Sequence, residues 1–449
     1  MNITPIAVSA KTQGLVQTKI QLLQRVFHAF TPAFELRLWD GSAYQLGNTA
    51  GSAAQAPFTL VIHSPQVFSQ MVLSRDRLFL AKAYFSGDLD VEGDFFEALK
   101  LKDHLYALHI SILDRLDALF NALRIDVDTR REARQTQVVK VHSQMENKAA
   151  IGFHYDVSNA FYALWLDDSM AYSCAYFEHY RDSLATAQTS KLDHICRKLR
   201  LSFGEKFLDI GCGWGSLIIH AAKYYNVRAH GITLSEQQYV WVLARIAEED
   251  LGHLVSVELL DYRNLTGESV YDKIASVGMF EHVGLKNLPL YFESVARVLK
   301  PDGLFLNHGI THETEGWEKT LSTEFINRYI FPDGQLDTVS NIQRAMEQAK
   351  FVIEDVESLR MHYALTLRAW VARLEAHHTQ ALAHVNEATY RIWRFYMTAC
   401  ALEFESGDIG IYQILVTKRT THSLGGISPR AVMPLTRDYM YPRQVEDHR

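Results

Sequence analysis

The sequence predicts an α/β protein: an open, doubly wound sheet of seven strands with a helical lid, preceded by a small α+β domain. An apolar strand, Lys206–Ile210, runs into a Gly211-x-Gly213-x-Gly215 turn and then a helix, which opens a βαβ unit. From there to residue 419, apolar strand-like runs alternate with helical periodicity, the pattern of a doubly wound sheet. Upstream of residue 124, hairpin and helix signals follow one another without that alternation.

Taken in order, Leu15, Val16, Ile20, Leu23, Val26, Phe27 and Phe30 recur at helical spacing. Residues 34–46 then alternate with period two across Asp40-Gly41, which reads as a hairpin. Residues 58–63 form a further strand, and 65–72 and 78–84 form helices. Residues 87–93 are a turn into a helix carrying Phe95, Phe96, Leu99 and Leu101. This domain spans residues 1–123. A charged linker follows at 124–148, where Arg124, Arg130, Arg131, Arg134, Lys140 and Lys148 alternate with Asp126, Asp128, Glu132 and Glu146, which reads either as a solvated mixed-charge face or as a contact for anionic lipid heads. An aromatic-rich segment opens the catalytic domain of residues 149–420. Ser158 or Asn159 caps a helix running through Trp165, and residues 170–178 form a lid.

The seven strands are placed at 206–210, 227–232, 255–260, 273–277, 304–309, 351–357 and 411–417, with Pro301-Asp-Gly303 as the turn before the fifth. The gap at 310–350 is longer than an ordinary crossover. It is read as a cap containing Trp317, Phe325, Tyr329, Phe331 and Pro332. Helices at about 363–379 and 384–403 precede the last strand. Residues 421–449 are read as a loosely held tail without a chemical role.

The 449 residues, 48% hydrophobic and 22% charged, have an ordinary globular composition, and with a net charge of -7 nothing argues for nucleic-acid binding, so none is expected. Cys174, Cys196, Cys212 and Cys400 have neither metal-ligand nor disulfide-framework spacing. Glu281-His282 lacks the paired histidines of a zinc helix, so no metal is expected. The N-terminus shows no signal peptide, and no window reaches the roughly 18 apolar residues of a membrane span. The expected location is the cytoplasm, with any membrane met from the side.

Ligands of such sheets bind beyond the carboxyl ends of the central strands. Asp209, two residues before the first glycine, places a carboxylate within reach of an ammonium. This favours S-adenosylmethionine (SAM) over a pyrophosphate cofactor, and no Lys-Ser/Thr follows the glycines to hold a nucleoside triphosphate. Gly211, Gly213 and Gly215 wrap the methionyl portion, Thr233, Leu234 and Gln238 follow the second strand, and Asp261 and Tyr262 meet the adenine end. Glu281 lies at the mouth of the pocket beside His308, where a carboxylate and an imidazole can position a base or an anion. Seven strands with a late final one match the Rossmann-like sheet of SAM-dependent methyltransferases.

Phe153-His-Tyr-Asp-Val-Ser, Tyr172-Ser-Cys-Ala-Tyr-Phe, Leu208-Asp-Ile-Gly-Cys-Gly-Trp-Gly, Gly231-Ile-Thr-Leu-Ser-Glu-Gln-Gln, Asp261-Tyr-Arg, Val277-Gly-Met-Phe-Glu-His-Val-Gly and Tyr329-Ile-Phe-Pro-Asp-Gly resemble the cyclopropane-fatty-acyl-phospholipid synthase family, which includes the mycolic acid cyclopropane synthases. The resemblance covers residues 145–419. The N-terminal domain more loosely resembles the extra domain of the phospholipid enzymes. The resemblance implies methyl transfer from SAM to the double bond of an unsaturated phospholipid acyl chain, with proton loss closing a cyclopropane ring. It also implies a bicarbonate ion held by Cys174, Glu281, His308, the backbone of Ile310, and Tyr363. Its SAM contacts fall on Tyr155, Tyr172, Ser173, Gly211, Gly213, Leu234, Gln238 and Tyr262. A homodimer docking on the inner membrane face is expected. The alternatives are a methyl-branched or methylene product, methylation of a small amine, and a lipid-binding protein with an inactive methyltransferase domain.

Overall fold

The computed structural model describes residues 10–48, 56–73, 78–102, 157–314, 321–330, 335–419 and 433–441. The chain divides into one unit of residues 1–138 with 386–399, and a second of residues 139–385 with 400–449. In the first, helix α1 (Ala10–Val26) precedes the expected hairpin, β1 (Phe34–Arg37) against β2 (Ala43–Leu46), with Phe34 opposite Leu46. Strand β3 (Phe58–Ile62) lies parallel to β1, followed by α2 (Pro65–Leu73) and α3 (Phe79–Ser86).

Residues 89–93, expected as a turn, instead form β4 (Leu89–Gly93), antiparallel to β3, before α4 (Phe95–Leu99). Gly87 ends α3 in the left-handed region at φ 80°, which reverses the chain onto the sheet. As an edge strand, β4 tolerates the acidic residues that hid it in the sequence. Phe34 stacks on Phe58 at 4.9 Å and meets Phe27 and Phe30 edge-on at 5.4 and 5.7 Å, anchoring this core. Arg391 belongs to this unit: it donates to the Tyr84 and Leu89 carbonyls and pairs with Asp90 at 3.1 Å.

The second unit runs α5 (Asn159–Trp165), α6 (Leu184–Lys198), β5 (Lys206–Ile210), α7 (Ser216–Tyr225), β6 (Arg228–Thr233), α8 (Glu236–Glu248), β7 (Val255–Leu259), β8 (Tyr271–Val277), α9 (Leu288–Val298) and β9 (Leu299–His312). It continues through α10 (Leu321–Tyr329), α11 (Val339–Gln348), β10 (Phe351–Ser358), α12 (Arg360–Ala376), α13 (Glu387–Ser406), whose first half groups with the other unit, and β11 (Ile409–Lys418). All seven expected strands are present, in the order β10-β11-β9-β8-β5-β6-β7, a Rossmann-like methyltransferase sheet. The order reverses between β5 and β8, which opens a crevice at their carboxyl ends.

Strand alternation sends Phe207 and Leu208 to opposite faces, one packed under α6, α7 and α8 and the other under α9 and α11. Strand β9 starts earlier than expected, because Pro301-Asp-Gly303 is a bulge inside it: Tyr271 pairs with Leu299 and Lys273 with Leu304. The expected cap at 310–350 is cut down from both ends. Strand β9 reaches His312, and α11 is a crossover helix that buries Ile342 and Met346 against the sheet. Phe325 is buried on α10, and Tyr329 packs against it at 5.5 Å. Trp317, Phe331 and Pro332 lie outside the described residues, as does the 124–148 linker.

Helix α6 carries an unusual stripe: Gln188, Lys191, His194 and Lys198 are all buried. Lys198 pairs with Asp355 at 3.4 Å and with Glu357, which also accepts from His194 Nε2 at 2.9 Å. Burial would push the Glu357 carboxyl up, but His194 and Lys198 hold it down at about 2. Removing one partner of such a buried pair costs about 3–5 kcal/mol. The tail is not loose throughout. Met440 is buried in the core under α6, its carbonyl faces His194 Nδ1 at 3.1 Å, and Arg437 pairs with Asp355 at 2.5 Å.

Candidate active site

The crevice is built from the glycine turn outward. Gly211 and Gly215 both hold φ 82°, and a Cβ on Gly215 would stand 2.9 Å from Val242 of α8. Gly215 caps α7 without a side chain, so the first backbone N–H groups of that helix remain available to a ligand. Trp214 donates through Nε1 to Asn159 at 2.9 Å and packs on Tyr162 at 4.9 Å, fixing the turn to α5. The cleft encloses about 1060 Å³, part of it open to solvent. Its walls include Tyr172, Ser173, Asp209, Gly211, Gly213, Thr233, Leu234, Gln238, Asp261 and Tyr262, all expected from sequence. Gly215 lies in the turn but not on the wall, and Tyr155 lies outside the described residues.

Individual walls differ in what they can offer. Asp209 is 3% exposed and its Oδ1 has no partner. Burial pushes this carboxyl up to about 7, against the pull of the Lys191 charge. Thr233 Oγ1 donates to Gln238 Oε1 at 2.7 Å, holding that side chain in place. Both oxygens of Asp261 are engaged by Arg263, at 2.9 and 2.6 Å, so this carboxylate is already salt-bridged as it lines the cleft. Tyr262 stands edge-on to Tyr291 at 5.2 Å, and burial pushes its hydroxyl up to about 12.

A second group of polar atoms lies on the neighbouring strands β8 and β9, in the turn after β8 and the last third of β9. Glu281, in the short turn after β8, accepts from the Ile310 N–H at 2.8 Å through Oε1, while Oε2 is buried without a partner. Burial pushes Glu281 up to about 7. His308 is 1% exposed with both ring nitrogens unpartnered, and burial drives it down to about 3, so it is a neutral imidazole at physiological pH. Its strand partner Val277 and the Gly278 N–H bonded to its carbonyl at 2.9 Å set the Glu281 turn over β9.

Cys174 lies in the lid and Tyr363 on α12. The thiol donates to the Ala175 and Leu359 carbonyls at 3.3 and 3.8 Å, and burial pushes it far up, which makes it a donor and not a thiolate. The Ala175 N–H donates to Thr366 Oγ1 and the Phe177 N–H to His362 Nδ1, both at 3.0 Å, tying the lid to the helix that carries Tyr363. The Leu359 N–H bonds Ile411, whose strand partner is Ile310. That path leads from Cys174 to Glu281 through Leu359, Ile411 and Ile310.

The model of the mycolic acid cyclopropane synthetase family matches residues 142–414, more than half of the chain. The chain belongs to this family. It is a SAM-dependent C-methyltransferase by class. A Pseudomonas putida protein, "Probable fatty acid methyltransferase", is 42% identical over 85% of this chain and 91% of its own. The Escherichia coli "Cyclopropane-fatty-acyl-phospholipid synthase" is 34% identical over 86% of this chain and 95% of its own. Among solved structures, mycolic acid cyclopropane synthase CmaA1 complexed with SAH and CTAB is 34% identical, with a TM-score of 0.58 over 60% of this chain and 98% of that one.

Sequence reasoning missed several walls of this family member's cleft: Lys191, Met170, Trp214 and His282. In the sequence His282 stands out only beside Glu281, where it completes no zinc helix. Burial drives it down to about 4, so it meets a cationic cofactor uncharged. Gly309 was also passed over. A Cβ there would stand 2.0 Å from the Phe280 ring and 2.8 Å from Glu281 Oε1. Gly309→Ala therefore lowers stability by about 1–3 kcal/mol through overpacking. It also displaces the Glu281 turn, and paired thermal denaturation and turnover assays check both losses.

Proposed function

We propose that this enzyme transfers the SAM methyl to the cis double bond of an unsaturated acyl chain esterified in a membrane phospholipid, and that proton loss from the new methyl closes a cyclopropane ring. When bound, SAM supplies a methyl electrophilic enough for an alkene to attack. The observation that carries the reading is the buried, unpartnered Oε2 of Glu281, a carboxyl held through Oε1 by the Ile310 N–H of β9. Ring closure needs a proton acceptor next to the transferred methyl, and a carboxyl near 7 can accept one at neutral pH.

The remaining residues keep the reaction dry and aligned. Tyr172, on the cleft wall, packs on Trp370 at 5.3 Å, and Trp370 meets Tyr363 at 6.0 Å, so aromatic faces run from the cleft toward the Cys174 side. Such faces favour a developing carbocation and exclude water from it. The family resemblance adds a bicarbonate ion to this reading: Glu281 Oε2, a ring nitrogen of His308, the Cys174 thiol, the Ile310 backbone and the Tyr363 hydroxyl are the groups that would hold it. Once held, it would supply the link through which the methyl proton reaches the Glu281 carboxylate.

Among the described residues no helix is long and apolar enough to cross a bilayer. One feature supports a membrane substrate. The match to the phospholipid-named relative covers 86% of the chain, more than residues 139–449 can supply, so it includes the N-terminal unit. That unit and the basic 124–148 positions make the membrane contact, with a homodimer at the inner face doubling it. The P. putida relative is named only a fatty acid methyltransferase, which leaves room for a second reading: the same cation loses a proton to give a methylene product, or takes a hydride from a separate donor to give a methyl branch.

The test is SAH release from SAM on vesicles of monounsaturated phospholipid, with fully saturated vesicles and small amines as comparisons. Release on the unsaturated vesicles alone is expected. Turnover on amines alone would move the chain to N-methylation, and failure to bind SAM would leave a lipid-binding protein.

A further inference from the structure

Lys191 of α6 is 2% exposed, and it lines the same cleft as Asp209. An ammonium carries three donors, and here one finds an acceptor, Ser173 Oγ at 3.0 Å. Asp167 and Asp209 act on it only through space. A buried cation with so few partners is costly, and desolvation holds Lys191 below the usual lysine range. Asp209 has the mirror problem, a buried carboxylate oxygen with no partner. The two charges share the mouth of the glycine turn without bonding each other.

An under-partnered cation and an under-partnered anion on one wall are complementary to a zwitterion. We propose that Lys191 binds the carboxylate of the amino acid end of SAM while Asp209 takes its ammonium, so that the cleft selects its cofactor by reading both charges of one α-amino acid. This rests on the SAM reading above and deepens it. The placement also couples the cofactor to the lid. Ser173 accepts from Lys191 through its hydroxyl and from Gln188 Nε2 through its carbonyl at 3.0 Å, and Gln188 also holds the Ala171 carbonyl at 3.2 Å. A carboxylate at Lys191 thus sits against the segment of the lid that α6 grips.

The experiment is calorimetry on the full chain with three ligands: SAH, its decarboxylated analogue, and methylthioadenosine, which lacks the whole amino acid end. Wild type should bind SAH about tenfold or more tighter than the decarboxylated analogue, the size of one charge-assisted hydrogen bond. Lys191→Met should erase that preference and leave methylthioadenosine affinity unchanged, which also reports that the variant is folded. Equal weakening of all three ligands, or an undiminished preference in Lys191→Met, overturns the assignment. A wild type that binds none of them overturns the SAM reading itself, and with it the proposal.

Discussion

Glu281→Gln lowers turnover on monounsaturated phospholipid by about 100-fold or more, while SAH affinity moves by less than about threefold. The substitution keeps the acceptor for the Ile310 N–H and replaces Oε2, the buried atom left without a partner, by a group that cannot take a proton. Glu281 is not among the walls of the SAM cleft, so binding is spared. The pH profile gives an independent reading. Burial raises this carboxyl to about 7, and the proton acceptor must be ionised. At saturating SAM, the wild-type rate therefore falls as pH drops through about 7, and the glutamine variant loses that limb. A matching loss of SAH affinity would assign Glu281 to cofactor binding instead.

Asp209→Asn weakens SAH by about 10- to 100-fold, the value of a charge-assisted hydrogen bond in a desolvated site. Methylthioadenosine, without an ammonium, should be unaffected. The sign of the pH dependence follows from the same burial. Asp209 is raised to about 7, and an ammonium is held by the ionised form. Wild-type SAH affinity therefore declines as pH falls through about 7, while the asparagine variant is weak and flat. Calorimetry between pH 6 and pH 8, spanning the value to which burial raises the group, checks both statements. A variant that keeps the wild-type slope would place the titrating group elsewhere.

The glycine turn, the seven strands and most of the cleft wall were legible because each is a local signal: an apolar run, a triplet of glycines, a carboxylate at fixed spacing. What sequence hid was polar residues facing inward. Gln188, Lys191, His194 and Lys198 recur at helical spacing, and such a stripe ordinarily reads as a solvated face. Only the sheet register, which lines up Glu357, Gln413 and His308 on neighbouring strands, shows that it covers buried acids and imidazoles. The docking of Met440 was illegible for a related reason. Its segment has no periodicity of its own and gains order from a pocket made by α6. Strand β4 was hidden by its acidic edge, and the true start of β9 by a Pro-Asp-Gly signal that marks a bulge as readily as a turn.

The structure of the product reports ring closure most directly. Proton NMR of the acyl chains released after incubation with SAM and monounsaturated phospholipid vesicles should show the high-field resonances of a cyclopropane ring. These resonances should be lost in Glu281→Gln. A branched methyl doublet or a new methylene alkene signal in place of the ring would show that the proton leaves from elsewhere, and would contradict the role given to Glu281 and His308.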